Sequence, residues 1–228
     1  MRVAHVITRL IVGGAQENTL STVLGLHQKS GVTVRLYSGP TTGPEGSLEP
    51  LAKNVDDLFH LVPKLVRPVH PIMDFLAYRH LVSEFKQFRP DIVHTHSGKA
   101  GLIGRLAAKR VGVPMVIHSI HGPSFGAFQG GIANAVFSEA ERIAGTRTDH
   151  FITVANAMSN QYLSAGIANP EDYTQIFSGF ELDPFLKAKN SKSVREKYGL
   201  TANDFVIGKI ARLFELKGHE HLFAIAPS

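Results

Sequence analysis

The sequence predicts an α/β fold: a parallel sheet with helices on both faces. Short β-branched runs such as "RVAHVI", "VTVRLYS" and "PMVIHSIHG" alternate with segments of helical periodicity. Those helical segments run to about 10–18 residues, the length a crossover between parallel strands requires. Glycine and proline punctuate the joins.

The elements follow in order. "RVAHVI" predicts the first strand. Gly13-Gly14 leads into a helix on which Leu20, Val23, Leu24 and His27 recur at helical spacing, with Gly31 as its stop. "VTVRLYS" is the second strand, "GPTTGPEGS" a loop, and Leu58 to Val62 a weaker third strand. Met73 to Phe88 reads as a helix with Phe75, Leu76, Leu81, Val82 and Phe85 on its apolar side, stopped by Pro90. "DIVHTHS" is the fourth strand, and "GKAGLIGRLAAKRVG" a small-residue helix suited to close packing on a sheet. "PMVIHSIHG", "DHFITVA" and "YTQIFSGF" supply further strands, separated by helices in "GIANAVFSEAERIAGTRT" and "NAMSNQYLSAG". This pattern predicts a Rossmann-like domain over residues 1–180.

Residues 181–203 are polar and lysine-rich, helical only in Ser193 to Tyr198, and read as an inter-domain connection. "FVIGKIARL" then predicts a fresh strand and "KGHEHLFAIA" a fresh helix. Residues 204–228 are therefore expected to be the first strand–loop–helix of a second, truncated Rossmann-like domain. An unpaired strand there would expose apolar surface, so these residues are expected to be disordered, packed on the first domain, or covered by a partner or a swapped domain.

Bulk properties bound the function. The chain has 228 residues, 43% of them hydrophobic, enough for a sizeable core. The absence of cysteine excludes disulfide frameworks and thiolate metal sites. His5 and Arg9 interrupt the apolar start, which argues against a signal peptide, and no apolar run reaches the length of a membrane span. A net charge of +5 suits an anionic partner. Basic residues are dispersed and no aromatic-rich motif accompanies them, so nucleic acid is not expected. Lys64, Arg67, Lys99, Arg105, Lys109 and Arg110 could form a basic face for peripheral membrane contact, although a solvated helix exterior explains them as well.

Ligands of open α/β sheets bind beyond the carboxyl ends of the strands. Gly13 and Gly14 lie there, where a helix N-terminus offers free N–H groups to a phosphate or a sugar hydroxyl; a tight turn requiring positive φ would equally explain the pair. The spacing is not G-x-G-x-x-G, which disfavours a dinucleotide site. His94 and His96 share one face of a strand, and His118 and His121 end the next. No carboxylate accompanies them at ligand spacing, so no metal and no cofactor are expected, and a lining for a sugar-sized cleft is. Glu139, Glu141 and Arg142 read as a solvated helix face with internal ion pairs. Arg212 and Lys217 flank a loop between a strand and a helix, where two cations suit a diphosphate and the charge growing on a leaving nucleoside diphosphate.

Taken together, "GGAQENTL", "RPDIVHTHSGKAGLIGRLAA", "HSIHG", "ERIAGTRTDHFITVA", "SGFELDPF" and "IGKIARLFELKGHEHL" resemble, in order, the motifs of glycosyltransferase family 4, the group 1 glycosyltransferases of the GT-B fold. The resemblance implies two Rossmann-like domains, the first mainly for the acceptor, and metal-free transfer of a sugar with retention of configuration. The substrates implied are a nucleotide-sugar donor and a glycan or lipid-linked acceptor, in the cytoplasm or at the inner face of its membrane. It implies that Gly13, Gly14, Arg212 and Lys217 meet the donor phosphates. His121 would touch the transferred sugar by accepting a hydroxyl hydrogen bond, as the catalytic residue, and His96, Ser97, His118 and Gly122 would line the acceptor and sugar cleft. Ser178 and Glu181 replace the family's usual Asn and Asp, and its Glu-x7-Glu pair does not occur after Lys217. The 228 residues alone are therefore expected to be inactive. Two alternatives stay open: a standalone acceptor- or partner-binding half of a split enzyme, and another GT-B enzyme such as a nucleotide-sugar epimerase.

Overall fold

The computed structural model describes residues 1–126, 128–189, 191–211, 213 and 217–225. They fall into two compact units, Met1–Phe180 and Glu181–Ser228. In the first unit, the runs read as strands become β1 (Arg2–Ile7), β2 (Thr33–Ser38), β3 (Phe59–Leu61), β4 (Ile92–His96), β5 (Met115–Ile120), β6 (His150–Thr153) and β7 (Tyr173–Gln175). They form one seven-stranded sheet in the order β3-β2-β1-β4-β5-β6-β7, with every neighbouring pair parallel. The order reverses between β1 and β4, so the crevice that opens beside them at the carboxyl ends is where this topology places a ligand.

Helices cover both faces. On one, α1 (Gly14–His27) buries Leu20 and Val23 against Val3, Ile7, Val34 and Leu36. α2 (Glu49–Lys53) adds Ala52 to the same cluster. On the other face, α3 (Pro71–Phe88) sets Ala77, Leu81, Phe85 and Phe88 against Ala4, Val6, Tyr37 and Val93. Full burial of each large side chain stabilises by about 1.5–3 kcal/mol. α4 (Gly98–Val111) packs beside α3. α5 (Gly131–Gly145) and α6 (Asn156–Ser164) follow, and Phe137 and Tyr162 from them join Ile120 and Phe151 in a third cluster.

Local chemistry sets the boundaries. α3 begins where Pro71 fixes its first turn; His70 Nδ1 accepts a hydrogen bond from the Met73 N–H at 3.3 Å, and Asp74 accepts from the His70 N–H at 3.1 Å. It ends at Arg89, φ 50°, because Pro90 bars the α conformation there. Glycine lets α4 lie close to the sheet. A Cβ on Gly104 would sit 2.7 Å from Thr95 Cγ2, and one on Gly101 would sit 2.5 Å from His118 Cε1.

Several expectations need correction. α1 stops at His27, and Gly31 lies in the turn beyond rather than at the helix end. Phe75 and Leu76 are exposed; Ala77 and Phe88 take the buried stripe of α3 instead. α2 and α7 (Asp183–Leu186) were not anticipated. In the second unit, α8 (Lys192–Lys197) and α9 (His219–Ile225) occur as helices. Residues 205–211 form no strand, and Phe205, Ile207 and Ile210 are exposed.

Candidate active site

The carboxyl ends of β1, β4 and β5 bring most of the expected residues together. After β1 the chain turns into α1, whose N-cap is Gly13 with no side chain capping it. Its φ of 174° is ordinary extended backbone, and Gly14 is helical, so neither glycine is there for a left-handed turn. What they provide is openness. Nothing lies within 4 Å of a Cβ built on Gly14, whereas one on Gly13 would sit 3.0 Å from Gln16 Oε1, so the open approach to the first N–H groups of α1 is on the Gly14 side.

β4 leads into Ser97, the N-cap of α4, with φ 68° and ψ 157°, a backbone region that essentially only glycine populates. Ser97 is held there from both sides. Its carbonyl accepts the Gly101 N–H at 2.7 Å, and the next turn is fixed by Thr8 Oγ1 accepting from the Ala100 N–H at 3.3 Å.

β5 delivers His121 at its end, with Gly122 open beyond it. The segment that follows is tied down by Ser124, whose Oγ donates to Glu141 Oε1 at 2.8 Å and lies 3.2 Å from Tyr162 Oη. Gln161 Nε2 donates to the Phe125 carbonyl at 2.6 Å, and the Gly126 N–H donates to Asn134 Oδ1, also at 2.6 Å. A Cβ on Gly98 would come within 2.8 Å of Ser124 Cβ, so the start of α4 and this segment touch.

Glu141 is not on a solvated face. It is buried, and its Oε2 accepts from Arg105 Nη2 at 2.6 Å. Arg105 is wholly buried as well, with Nε donating to the Gly101 carbonyl at 2.8 Å, so it leaves the expected basic face. Lys99 is also engaged, with Asp74 and the Pro68 carbonyl. The Glu139–Arg142 pair is solvated, as read from the sequence.

Histidines fill the space under the site. His5 Nδ1 lies 3.0 Å from His96 Nε2, and His96 Nδ1 lies 3.1 Å from His121 Nε2. The His5 and His96 rings stack at 5.2 Å, and His96 and His121 at 5.4 Å. His94 packs against His96 and reaches Ser119 Oγ at 2.7 Å. Burial pushes all of these rings toward the neutral form: His5 down to about 3, His121 to about 4, and His94 and His96 well below the usual imidazole value. His5, His94 and His96 bring nitrogen atoms within 4.8 Å of one another, a set that could take a divalent ion. The missing carboxylate is therefore no argument against a metal here, because a ligand set made only of histidines is at hand.

His118 is not part of this group. It lies on the opposite face, where its Nδ1 meets Thr95 Oγ1 at 2.9 Å, its ring abuts Gly101 and Phe151 meets it edge-on. His5 was missed, because only the pairing of β1 with β4 brings it beside residues about ninety positions later. Arg212 lies outside the described residues. Lys217 is exposed in the second unit.

Comparison with known proteins adds to this geometry. A family model described as Glycosyltransferase Family 4 matches residues 12–183. The UDP-Gal:alpha-D-GlcNAc-diphosphoundecaprenol alpha-1,3-galactosyltransferase of Escherichia coli is 33% identical over 171 residues, covering 74% of this chain and 44% of that protein. The chain thus spans less than half the length of that relative. Among solved structures, the UDP-GlcNAc 2-epimerase of Methanocaldococcus jannaschii in complex with UDP-GlcNAc and UDP aligns with TM-score 0.60 at 12% identity, over 87% of this chain and 53% of that one. The lipopolysaccharide outer core galactosyltransferase WaaB in its apo form aligns with TM-score 0.56 at 13% identity, over 80% and 47%. At such identities the likeness is one of fold, which transferases and epimerases share.

Proposed function

The chain belongs to glycosyltransferase family 4, and from that premise we propose that it is the acceptor-side portion of an enzyme that transfers a sugar from a nucleotide-sugar to a glycan or lipid-linked acceptor, with retention of configuration. The observation that carries this reading is the convergence of the α1 N-terminus, strained Ser97 and His121 at the switch point of the sheet. In the reaction the α1 N–H groups receive phosphate oxygens, since a helix N-terminus favours anions. His121 meets the transferred sugar, and Ser97 and Gly122 shape the wall of the cleft. His96 acts from beneath His121 rather than on the ligand. In the proposed complete enzyme, Arg212 and Lys217 neutralise the departing nucleoside diphosphate, and no metal takes part.

The galactosyltransferase relative carries a diphosphoundecaprenol acceptor in its name, which supports a lipid-diphosphate acceptor. Among the described residues no helix is long and apolar enough to cross a membrane. The exposure of Phe205, Ile207, Ile210 and Leu213 favours a second reading, a split enzyme whose other half covers these side chains. The epimerase reading rests on fold alone.

Chemical-shift mapping of the labelled chain with a short-prenyl diphosphate-linked GlcNAc, and separately with UDP-hexoses, tests the first reading. Acceptor-induced shifts centred on Gly13, Gly14, Ser97 and His121 support it. Shifts confined to other surfaces, or robust sugar transfer by these 228 residues alone, would overturn it.

A further inference from the structure

Three imidazoles run in line from the interior to the site: His5, His96 and His121. Two nitrogen–nitrogen contacts join them, at 3.0 and 3.1 Å, and each needs one proton between its two nitrogens. His5 and His96 are buried side by side and His121 is part-buried against them, where a charged ring would be desolvated and would face no counter-ion among the described residues; with each ring neutral, three protons are shared among six nitrogens. Two protons occupy the two contacts. His96 has a single proton, so it donates through one nitrogen and accepts through the other, and the contacts must therefore point the same way along the chain. The third proton then sits at one end, on His5 Nε2 or on His121 Nδ1.

The two ends are unequal. His5 Nε2 is fully buried and has no hydrogen-bond partner among the described residues. His121 is only part-buried; among the described residues its Nδ1 takes no hydrogen bond, and it is not a buried unpartnered atom. A bare lone pair in the interior is tolerated far better than an unpaired N–H.

We propose that His5 and His96 are positioning residues that fix the tautomer of His121, leaving its Nε2 as an acceptor toward His96 and its Nδ1 as a proton donor toward the ligand. His5 Nδ1–H donates to His96 Nε2, and His96 Nδ1–H donates to His121 Nε2. His121 therefore meets an oxygen acceptor, a sugar oxygen or a phosphate oxygen, by donating to it. This reverses the role the family resemblance suggested, in which His121 accepts from a sugar hydroxyl. A histidine side chain free in water prefers the proton on Nε2, so the arrangement is imposed by the fold.

The significance for catalysis rests on the glycosyltransferase reading, but the tautomer does not, and it can be measured without substrate. Long-range proton–nitrogen correlation spectra of the uniformly 15N-labelled chain report which nitrogen of each ring carries the proton. His121 is assigned by the signal lost in His121→Gln, or through its own backbone connectivity if that variant does not fold. The expected result is Nδ1–H for His5, His96 and His121, in excess of Nε2–H by roughly ten to one or more. Nε2–H at His121 would overturn the proposal. So would stoichiometric binding of added Zn²⁺ that breaks the His5–His96 contact and leaves each ligating ring protonated only on the nitrogen away from the ion, since the cluster would then hold an ion rather than a directed proton chain. Failure of acceptor or donor to bind would strike the functional reading and leave the tautomer untouched.

Discussion

Arg105 and Glu141 meet inside the protein, guanidinium to carboxylate at 2.6 Å, with neither side chain more than 4% exposed. The pair joins α4 to α5, and through Ser124 it reaches the segment behind His121. The same carboxylate thus serves the core with one oxygen and the site with the other.

Glu141→Ala is expected to cost about 3–5 kcal/mol of stability, because Arg105 would be left charged, buried and unpaired. The double variant Arg105→Met/Glu141→Leu should recover most of that loss, since both charges leave together. Urea unfolding of the three proteins measures it, and equal losses in the single and the double variant would show that the pair is not the cause.

Acid should unfold the chain through its histidines. His5 and His121 are lowered from 6.5 to about 3 and about 4, and His94, His96 and His118 are also lowered by burial. Below a pH of about 6.5 the unfolded chain binds protons that the folded rings refuse. Their contribution is therefore complete above that pH and shrinks as pH falls toward the folded values, by about 1.4 kcal/mol per pH unit for each buried ring. Circular dichroism during acid titration should show cooperative unfolding between roughly pH 6 and pH 4. Undiminished stability at the lower end would contradict neutral burial of the cluster.

Ser97 stores backbone strain beside the proposed ligand. Ser97→Gly should relieve about 1–3 kcal/mol of it, against an added chain-entropy cost of about 0.5–1 kcal/mol, for a net gain near ~1 kcal/mol. A raised unfolding midpoint in urea is the expected outcome, and a lowered one would mean that serine makes compensating contacts.

Two glycines should respond in opposite directions to the same methyl. Gly101→Ala drives a Cβ into His118 and should destabilise by about 1–3 kcal/mol. Gly25→Ala, in α1 with nothing within 4 Å, should stabilise by about 0.5–1 kcal/mol. Matched thermal melts decide between them, and a loss at Gly25 would show that α1 carries a constraint beyond helix propensity.

Much of the sheet was readable in advance because its strands are compact β-branched runs separated by full-length crossover segments. Gly13, Gly14, Ser97, His96 and His121 were legible as a group because the ends of strands share one edge of such a fold. Local pattern failed where tertiary context decides. Val206 and Ile207 have strand-forming side chains, yet a strand needs a neighbour to pair with, and residues 205–211 form none. Glu141 looked solvated beside Glu139 and Arg142, and only the packing of α5 against α4 turns it inward to Arg105. His5 gave one usable hint: an imidazole in the middle of an apolar strand must find a partner somewhere.

The imidazole line also bears on how the sheet assembles. His5 stands on β1, His96 on β4 and His121 just beyond β5, so the contacts close only when these three strands are in register. A slip of β4 by one residue would turn His94 and His96 toward α4, where Gly101 and Gly104 leave no room even for a methyl group. Mispaired sheets would trap imidazole nitrogens without partners in an apolar layer. The row of histidines thereby adds a polar constraint to the one that the buried apolar faces already place on the alignment of β1, β4 and β5.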